Sequence, residues 1–292
     1  MTLQLRSAPV PVTKAADTTS TDTATLSWGR VVFFATFHLL ALLAPFCFSW
    51  SALGVALVLH WLCGSIGICL AYHRLLAHRS LQVPRWLEYV LVTIGALALQ
   101  GGPIFWAAGH RRHHAHAEDP IQDPHASTRG FWWSHMFWLF YRQPAFFDRD
   151  RYRKSAKDLD RDPYYRWLDR YFIWPQVLLG VALWAIGGWS FVLYGIVVRS
   201  VVLWHCTWFV NSATHFWGYC NFESDDDARN LWWVGILAYG EGWHNNHHVF
   251  PHVAPAGLRW WEIDMTWWAI RGLEILGLTR KVVRPPLGNQ KA

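Results

Sequence analysis

Charge is scarce in this chain. Asp, Glu, Lys and Arg make up 16% of its 292 residues, against roughly 25% in ordinary soluble domains, while 53% is hydrophobic. That balance does not suit a freely soluble enzyme. Cysteine is also scarce: there are five, with no CxxC pair and no spacing that reads as a disulfide framework. Cys47, Cys63, Cys69 and Cys206 fall inside apolar runs and Cys220 lies just after one, so all are expected to be reduced packing residues. The net charge of +6 is not gathered into a basic stripe, which argues against a nucleic-acid partner. Residues 1–28 lack an apolar period and carry only Arg6 and Lys14 as bases. They are expected to be a disordered tail rather than a signal or transit peptide. The stretch after Trp268 is too short for a fused haem or flavin domain.

Long apolar runs and 22 tryptophans stand in place of charge. Tryptophan favours the membrane–water boundary, so the chain reads as a membrane protein. Runs at about 31–50 and 51–72 are each long enough to cross a bilayer, which takes about 20 residues. Almost no loop separates them, so they form a hairpin. Arg30 flanks one outer end, Arg74, Arg79 and Arg85 flank the other, and the turn has no base. The outer ends are therefore assigned to the cytoplasm. Runs at about 171–187 and 190–210, split by Gly187-Gly188, give a second hairpin of the same kind. Arg199 in the last run must face protein or a water-filled groove.

The apolar segment Trp86 to Ala108 is expected to lie along the membrane rather than cross it. Crossing would put His110 on the opposite face from His73 and His78. Residues 111–170 are polar and aromatic, and between Arg149 and Arg170 eight Lys or Arg face five Asp. This region is a candidate docking surface for an acidic partner. Glu223 to Asp227 reads as a solvated acidic loop. The folded unit is expected to span 29–282, with 283–292 a C-terminal tail and both termini cytoplasmic.

Sixteen histidines are the anomaly. His110, His113 and His114 follow the i, i+3, i+4 rule and share a helix face; His244, His247 and His248 repeat the pattern. His73 and His78 are five apart, which on a continuous α-helix sets them about 140° apart, so the helix must end or bend between them. Asn211 and His215 share a face at the end of the last run. Nine imidazoles exceed what one ion needs and suit two ions with four or five nitrogens each. Imidazole suits iron, copper, nickel and zinc alike, so the metal stays open. His38, His60, His135 and His205 read as packing residues in apolar helices. His116, His125 and His252 read as neighbours of the clusters rather than ligands.

The stretches around these histidines resemble a known family. His73–His78, His110–His114 and His244–His248 look like the three histidine boxes of membrane fatty-acid desaturases. Tyr72 to Arg79, Asp123-Pro124-His125, Gly130 to His135, Asn211 to His215 and Gly240 to His244 resemble its Δ9 branch, which includes stearoyl-CoA desaturase and the bacterial and plant acyl-lipid enzymes. The resemblance implies an all-α integral membrane protein, with four transmembrane helices under a cytosolic helical cap that holds two iron ions. It implies metal ligands at His73, His78, His110, His113, His114, His215, His244, His247 and His248, with Asn211 acting through water. Gln100, Trp106 and Thr207 match positions at the bend of the acyl tunnel, and Arg112 and Arg142 match positions near the head group. Gly101, Gly109 and Gln143 depart from the acyl-CoA pattern, and Gln100-Gly101-Gly102-Pro103 looks more like the acyl-lipid branch.

The chemistry so implied removes two hydrogens from an unactivated methylene pair, with O2 as co-substrate, which no side chain can do alone. Electrons would come from a separate carrier of ferredoxin or cytochrome b5 type. Two alternatives stand beside this reading: a di-iron membrane hydroxylase, and a membrane metal-transport protein that would string histidines along a path through the bilayer.

Overall fold

The structure is a computed structural model that describes residues 24–286. Most of the expected N-terminal tail and residues 287–292 lie outside the described residues. The tail boundary itself moves: Thr25–Leu26 (β1) pairs antiparallel with Tyr141–Arg142 (β3), and helix α1 (Trp28–Ala41) begins directly after it. At the other end Lys281–Val282 (β4) pairs with Leu81–Gln82 (β2), so residues up to Val283 are held in place.

Helix α2 (Trp50–Ala77) follows a turn over residues 42–49 rather than at position 50, where the sequence placed it. Pro45 sits inside this turn, and Ser49 caps α2 by accepting from the Ala52 N–H at 3.1 Å. Over 28 residues α2 is long and apolar enough to cross a membrane, whereas α1 is apolar but shorter.

The chain then runs α3 (Arg85–Ala96), a break, and α4 (Pro103–Ala115). The expected single helix over Trp86 to Ala108 is therefore two. Leu99 and Gly101 take positive φ, and Pro103 can only start a new helix. α3 lies along α2 because both present glycine at the crossing: a Cβ on Gly67 would fall 2.9 Å from the Gly95 Cα. Short helices α5 (Phe131–His135), α6 (Arg149–Ser155), α7 (Lys157–Asp160) and α8 (Pro163–Arg170) fill the polar region.

A second apolar helix long enough to cross a membrane runs Trp174–Phe216, and Gly188 interrupts it with φ 65° and ψ −157°. Only glycine takes that backbone readily. Leu183 touches Gly195 across the break, although twelve residues of straight helix would hold them about 18 Å apart. The chain therefore doubles back. Its parts are α9 (Trp174–Val192), a wider turn Leu193–Val198, and α10 (Arg199–Asn211). The two hairpin turns lie together: Ser190 Oγ donates to the Cys47 carbonyl at 2.6 Å and Tyr194 Oη to that of Ala44 at 2.9 Å. Arg199 is 1% exposed and spends its N–H groups on the carbonyls of Gly195 and Leu97 and on Gln176 Oε1. It faces protein, as a cation in an apolar helix must.

After α10 come α11 (Ala213–Phe216), α12 (Trp232–Leu237), α13 (His244–Val249) and α14 (Met265–Ile275). One buried cation ties these to α2. Arg74 donates to Glu241 Oε1 at 3.0 Å, to both Asp264 oxygens at 3.0 Å, and to the Ala254 carbonyl at 2.8 Å. Replacing one member of such a knot strands the others' charge, at a cost of about 3–5 kcal/mol. Arg74→Met is expected to lower the melting temperature of the metal-free protein in detergent sharply. Adding Glu241→Gln and Asp264→Asn to it should recover part of the loss; no recovery in calorimetry would mean that charge is not what the site loses.

Candidate metal centre

The wide register of α2 resolves the His73–His78 spacing. From Leu62 to Ala77 its hydrogen bonds run i→i+5, and the His78 N–H donates to the His73 carbonyl at 3.1 Å. In that register residues five apart come round to the same side, and the helix ends at Ala77, between the two histidines, as their spacing required. The ring centroids are 4.8 Å apart.

α4 starts at Pro103, with Gly102 pressed against the Asp169 backbone and Asp169 Oδ1 accepting from the Phe105 N–H at 2.9 Å. Its three histidines do not all serve one point. His110 and His114 join His73, His78 and His247, whose ligand atoms all lie within 4.8 Å of one another. His113 joins His215, His244 and His248 under the same limit. α4 and α13 each straddle both groups, five nitrogens in one and four in the other.

The facing atoms are Nε2. In the first group the Nε2 to Nε2 distances are 3.0 Å for His73–His247, 2.7 Å for His78–His110, 3.0 Å for His110–His114 and 2.9 Å for His114–His247. In the second they are 3.3 Å for His113–His248 and 3.1 Å for His215–His244. Two nitrogens bound to one ion at 2.0–2.1 Å lie about 2.9 Å apart at a right angle and about 3.4 Å apart at the tetrahedral angle. Both groups fit a first-row transition ion.

Carboxylates hold the outer nitrogens. His73 Nδ1 is 2.6 Å from Glu241, His113 Nδ1 2.8 Å from Asp123, His215 Nδ1 2.6 Å from Glu118 and His248 Nδ1 2.6 Å from Asp226. Each contact turns Nε2 toward the metal position and raises its basicity. Glu118 and Asp226 were not foreseen. Asp226 belongs to the run read as a solvated loop; its other oxygen accepts from Ala228, which folds the loop back onto α13. The one available signal was arithmetic: buried imidazoles bound through Nε2 need acceptors at Nδ1.

Burial raises the Glu241 carboxyl, but His73 and Arg74 outweigh it and hold the group at about 2. Burial likewise opposes Asp226, and the His248 contact keeps it below the usual carboxylate range. Burial, then crowding by neighbouring imidazoles, pushes His110, His114, His244 and His247 well below 6.5, and His248 to about 4. These rings are neutral at pH 7, the state that binds metal.

The neighbours have distinct places. His125 stacks near His113 with its Nδ1 3.5 Å from Asp123, and exposed His252 donates to the His78 carbonyl at 2.9 Å. His116 ends α4. His38, His205 and His135 form a hydrogen-bonded row ending on Ser212 Oγ, apart from both groups, and His60 meets the Tyr239 hydroxyl at 2.5 Å.

A cavity of about 480 Å³ opens between α1 and the start of α9 and reaches His110; Arg30, Phe33, Phe34, Trp204 and Trp208 are among its walls. A narrower one of about 50 Å³ continues past His73, His113 and His244 to Gly64 and Tyr239. Both share Trp106, His110, Thr207 and Asn211. At this junction Trp106 Nε1 donates to Gln100 Oε1 at 3.2 Å and Gln100 Nε2 to Thr207 Oγ1 at 2.9 Å. Arg112 and Arg142 stand outside both linings. Arg112 donates to the Gln122 carbonyl and lies over Phe146, while Arg142 is exposed on β3. The cation in the wall is Arg30.

The family model for fatty acid desaturase matches residues 48–277. The chain belongs to the fatty acid desaturase family. It is 63% identical over 261 residues to the sn-2 palmitoyl-lipid 9-desaturase of Nostoc sp. (strain 36), covering 89% of this chain and 92% of that one. It is 51% identical over 260 residues to the sn-1 stearoyl-lipid 9-desaturase of Anabaena variabilis, covering 88% and 94%. It is 48% identical over 277 residues to the sn-1 stearoyl-lipid 9-desaturase of Synechocystis sp. (strain ATCC 27184 / PCC 6803 / Kazusa), covering 94% and 86%.

Two outcomes follow for this desaturase. Asp226→Asn is expected to lower metal affinity by about 10–100-fold with the fold intact, read by elemental analysis after dialysis against a chelator. Unfolded histidines take a proton near 6.5, whereas His248 holds off to about 4 and the others hold off too, so the unfolded state binds more protons in this window. His113, raised because Asp123 outweighs burial, works the other way but is outnumbered. The metal-free protein should therefore melt at falling temperature as pH drops from about 7 toward 4. A melting temperature flat across that range would contradict neutral buried imidazoles.

Proposed function

We propose that this chain is an O2-dependent acyl-lipid desaturase that introduces a cis double bond at Δ9 of a saturated acyl chain. The observation that carries the reading is the pair of histidine groups bordering two adjoining cavities, the wider one walled by aromatic side chains. The 9-desaturase relatives at 48–63% identity are named for lipid-linked palmitoyl and stearoyl chains, which supports a glycerolipid-bound substrate here. Gly101, Gly102 and Gly109 along the cavity agree with that carrier.

Two iron ions, held by the five-histidine and four-histidine groups, would supply the oxidising power when bound. The overall balance is –CH2–CH2– + O2 + 2 e⁻ + 2 H⁺ → –CH=CH– + 2 H2O. The chain's residues do the rest by position and by excluding water. Phe33, Phe34, Trp204 and Trp208 line the entry and strip water from the acyl chain. The Trp106–Gln100–Thr207 row holds the wall at the junction of the two cavities and would fix the conformation of the chain there. Asn211 faces the same junction and would meet its ion through water.

The four-span topology belongs to the same reading: α1, α2 and the two arms of the Gly188 hairpin cross the bilayer. Trp50, Trp184 and Trp189 are exposed beside the hairpin turns, and Trp28, Trp174 and Trp217 at the opposite helix ends. That distribution supports a tryptophan belt at each boundary. The metal centre and both termini then face the cytoplasm.

Expression in a host followed by fatty-acid analysis of each lipid class tests the reading. New cis-Δ9 monoenes in glycerolipids, absent with His113→Ala, are expected. A product that gains one oxygen atom instead of losing two hydrogens would make the chain a hydroxylase, and unchanged lipids despite expression and a supplied electron donor would overturn the proposal. Thr207→Val, which removes one bond of the row at the bend, is expected to lower turnover and spread the double-bond position, seen by mass spectrometry of the monoenes.

A further inference from the structure

The proposed reaction consumes two electrons, and no residue described so far accounts for their entry. His73, His78, His113, His215, His244 and His247 are all buried. His252 is exposed, and its Nδ1–H donates to the His78 carbonyl at 2.9 Å. Its ring stands edge-on to that of His78, with centroids 6.2 Å apart. A surface imidazole thus touches a member of the five-histidine group.

The ground around it is basic. The loop carrying His252 is stitched to the β2–β4 ribbon: Ala254 N–H donates to the Val283 carbonyl and Val283 N–H to that of Ser80, both at 2.8 Å. The ribbon and its approaches expose Arg79, Arg280, Lys281 and Arg284. Glu274 takes Arg284, and Asp158 takes Arg79 together with Arg111. Arg280 and Lys281 have no carboxylate partner among the described residues. The α6–α8 face, the sequence's candidate for docking, is basic too: Arg153 pairs with Asp160 and Arg149 with Asp169, while Lys154, Lys157, Arg161 and Arg170 are exposed with no carboxylate partner among the described residues. What it lacks is a histidine, and so a surface ring in touch with either histidine group.

We propose that the edge formed by His252, Arg280 and Lys281 is the docking site of an acidic one-electron carrier protein, and that electrons reach the five-histidine group through the His252 and His78 rings. This rests on the desaturase reading and adds the partner surface to it. Each docking would move one electron: the reduced carrier would lose one and the pair of iron ions held by the two histidine groups would gain one, entering at the five-histidine group. Two dockings supply one turnover. No bond or proton changes at His252. The positive edge raises the encounter rate, and the gain falls with salt.

The test uses the full iron-loaded chain in nanodiscs, with a reduced plant-type [2Fe–2S] ferredoxin and, in parallel, a cytochrome b5. Binding is measured against salt without turnover, and iron reduction by stopped flow with either carrier or with dithionite. Arg280→Glu with Lys281→Glu is expected to weaken carrier binding by about tenfold or more and to flatten its salt dependence. His252→Leu is expected to leave binding intact but to slow reduction by the carrier by about tenfold or more, with the dithionite rate unchanged. Unchanged binding in the ribbon variant, the same loss from Lys154→Glu with Arg161→Glu instead, or no binding of either carrier would overturn the docking site. A wild-type carrier rate in His252→Leu would overturn the route. Failure of the desaturase reading itself would show separately, as dithionite-reduced protein that makes no unsaturated product.

Discussion

The Arg74 knot is the interaction on which the rest depends. One guanidinium, sealed between α2 and the loops around α13, neutralises Glu241 and Asp264 and takes the Ala254 carbonyl. Glu241 in turn fixes His73, one residue before the arginine itself. Asp264 caps α14 through the Trp267 N–H. A single cation therefore sets the first histidine of the two groups, the approach to the last trio and the start of the closing helix. Buried charge of this kind stabilises only when every partner is present, which makes the assembly all-or-none.

Negative charge is unevenly shared between the two histidine groups. Among the described residues Asp123, Glu118 and Asp226 all address the four-histidine group, while the five-histidine group has Glu241 alone, and Arg74 draws on it. A carboxylate at Nδ1 makes its imidazole a stronger donor. The four-histidine group compensates for one fewer nitrogen by having richer ones. Beside the four-histidine group, His113 and His244 line the narrower cavity together with Asn211, which also lines the wider one.

How much of this was readable in the chain depends on range. The nine histidines announce themselves because helical spacing is local, and their division into five and four follows from coordination arithmetic. The end of α2 between His73 and His78 was legible from their i, i+5 spacing, but nothing local shows that the helix widens after Leu62. Glu118 and Asp226 were invisible for the opposite reason. They sit in loops, and their distances to His215 and His248 depend on how those loops close, which spacing cannot report. Arg30 was read only as a topological flank, because a cavity wall is assembled from α1, the β3 region and α9 together.

The same reasoning explains why the hairpin boundaries were placed less well than the site. Apolar composition continues through residues 42–50, so hydropathy alone sees no turn there; Pro45 and the Ser49 cap decide it. Gly187-Gly188 was legible because only glycine takes the backbone that reverses the chain. A turn need not be polar when its carbonyls find partners across the fold, and here Cys47 and Ala44 find Ser190 and Tyr194 on the other hairpin. The two turns satisfy each other, so the hairpins are registered at their far end by hydrogen bonds and at their near end by the two histidine groups. Between those fixed ends, the acyl cavity is the space that the helices are not free to close.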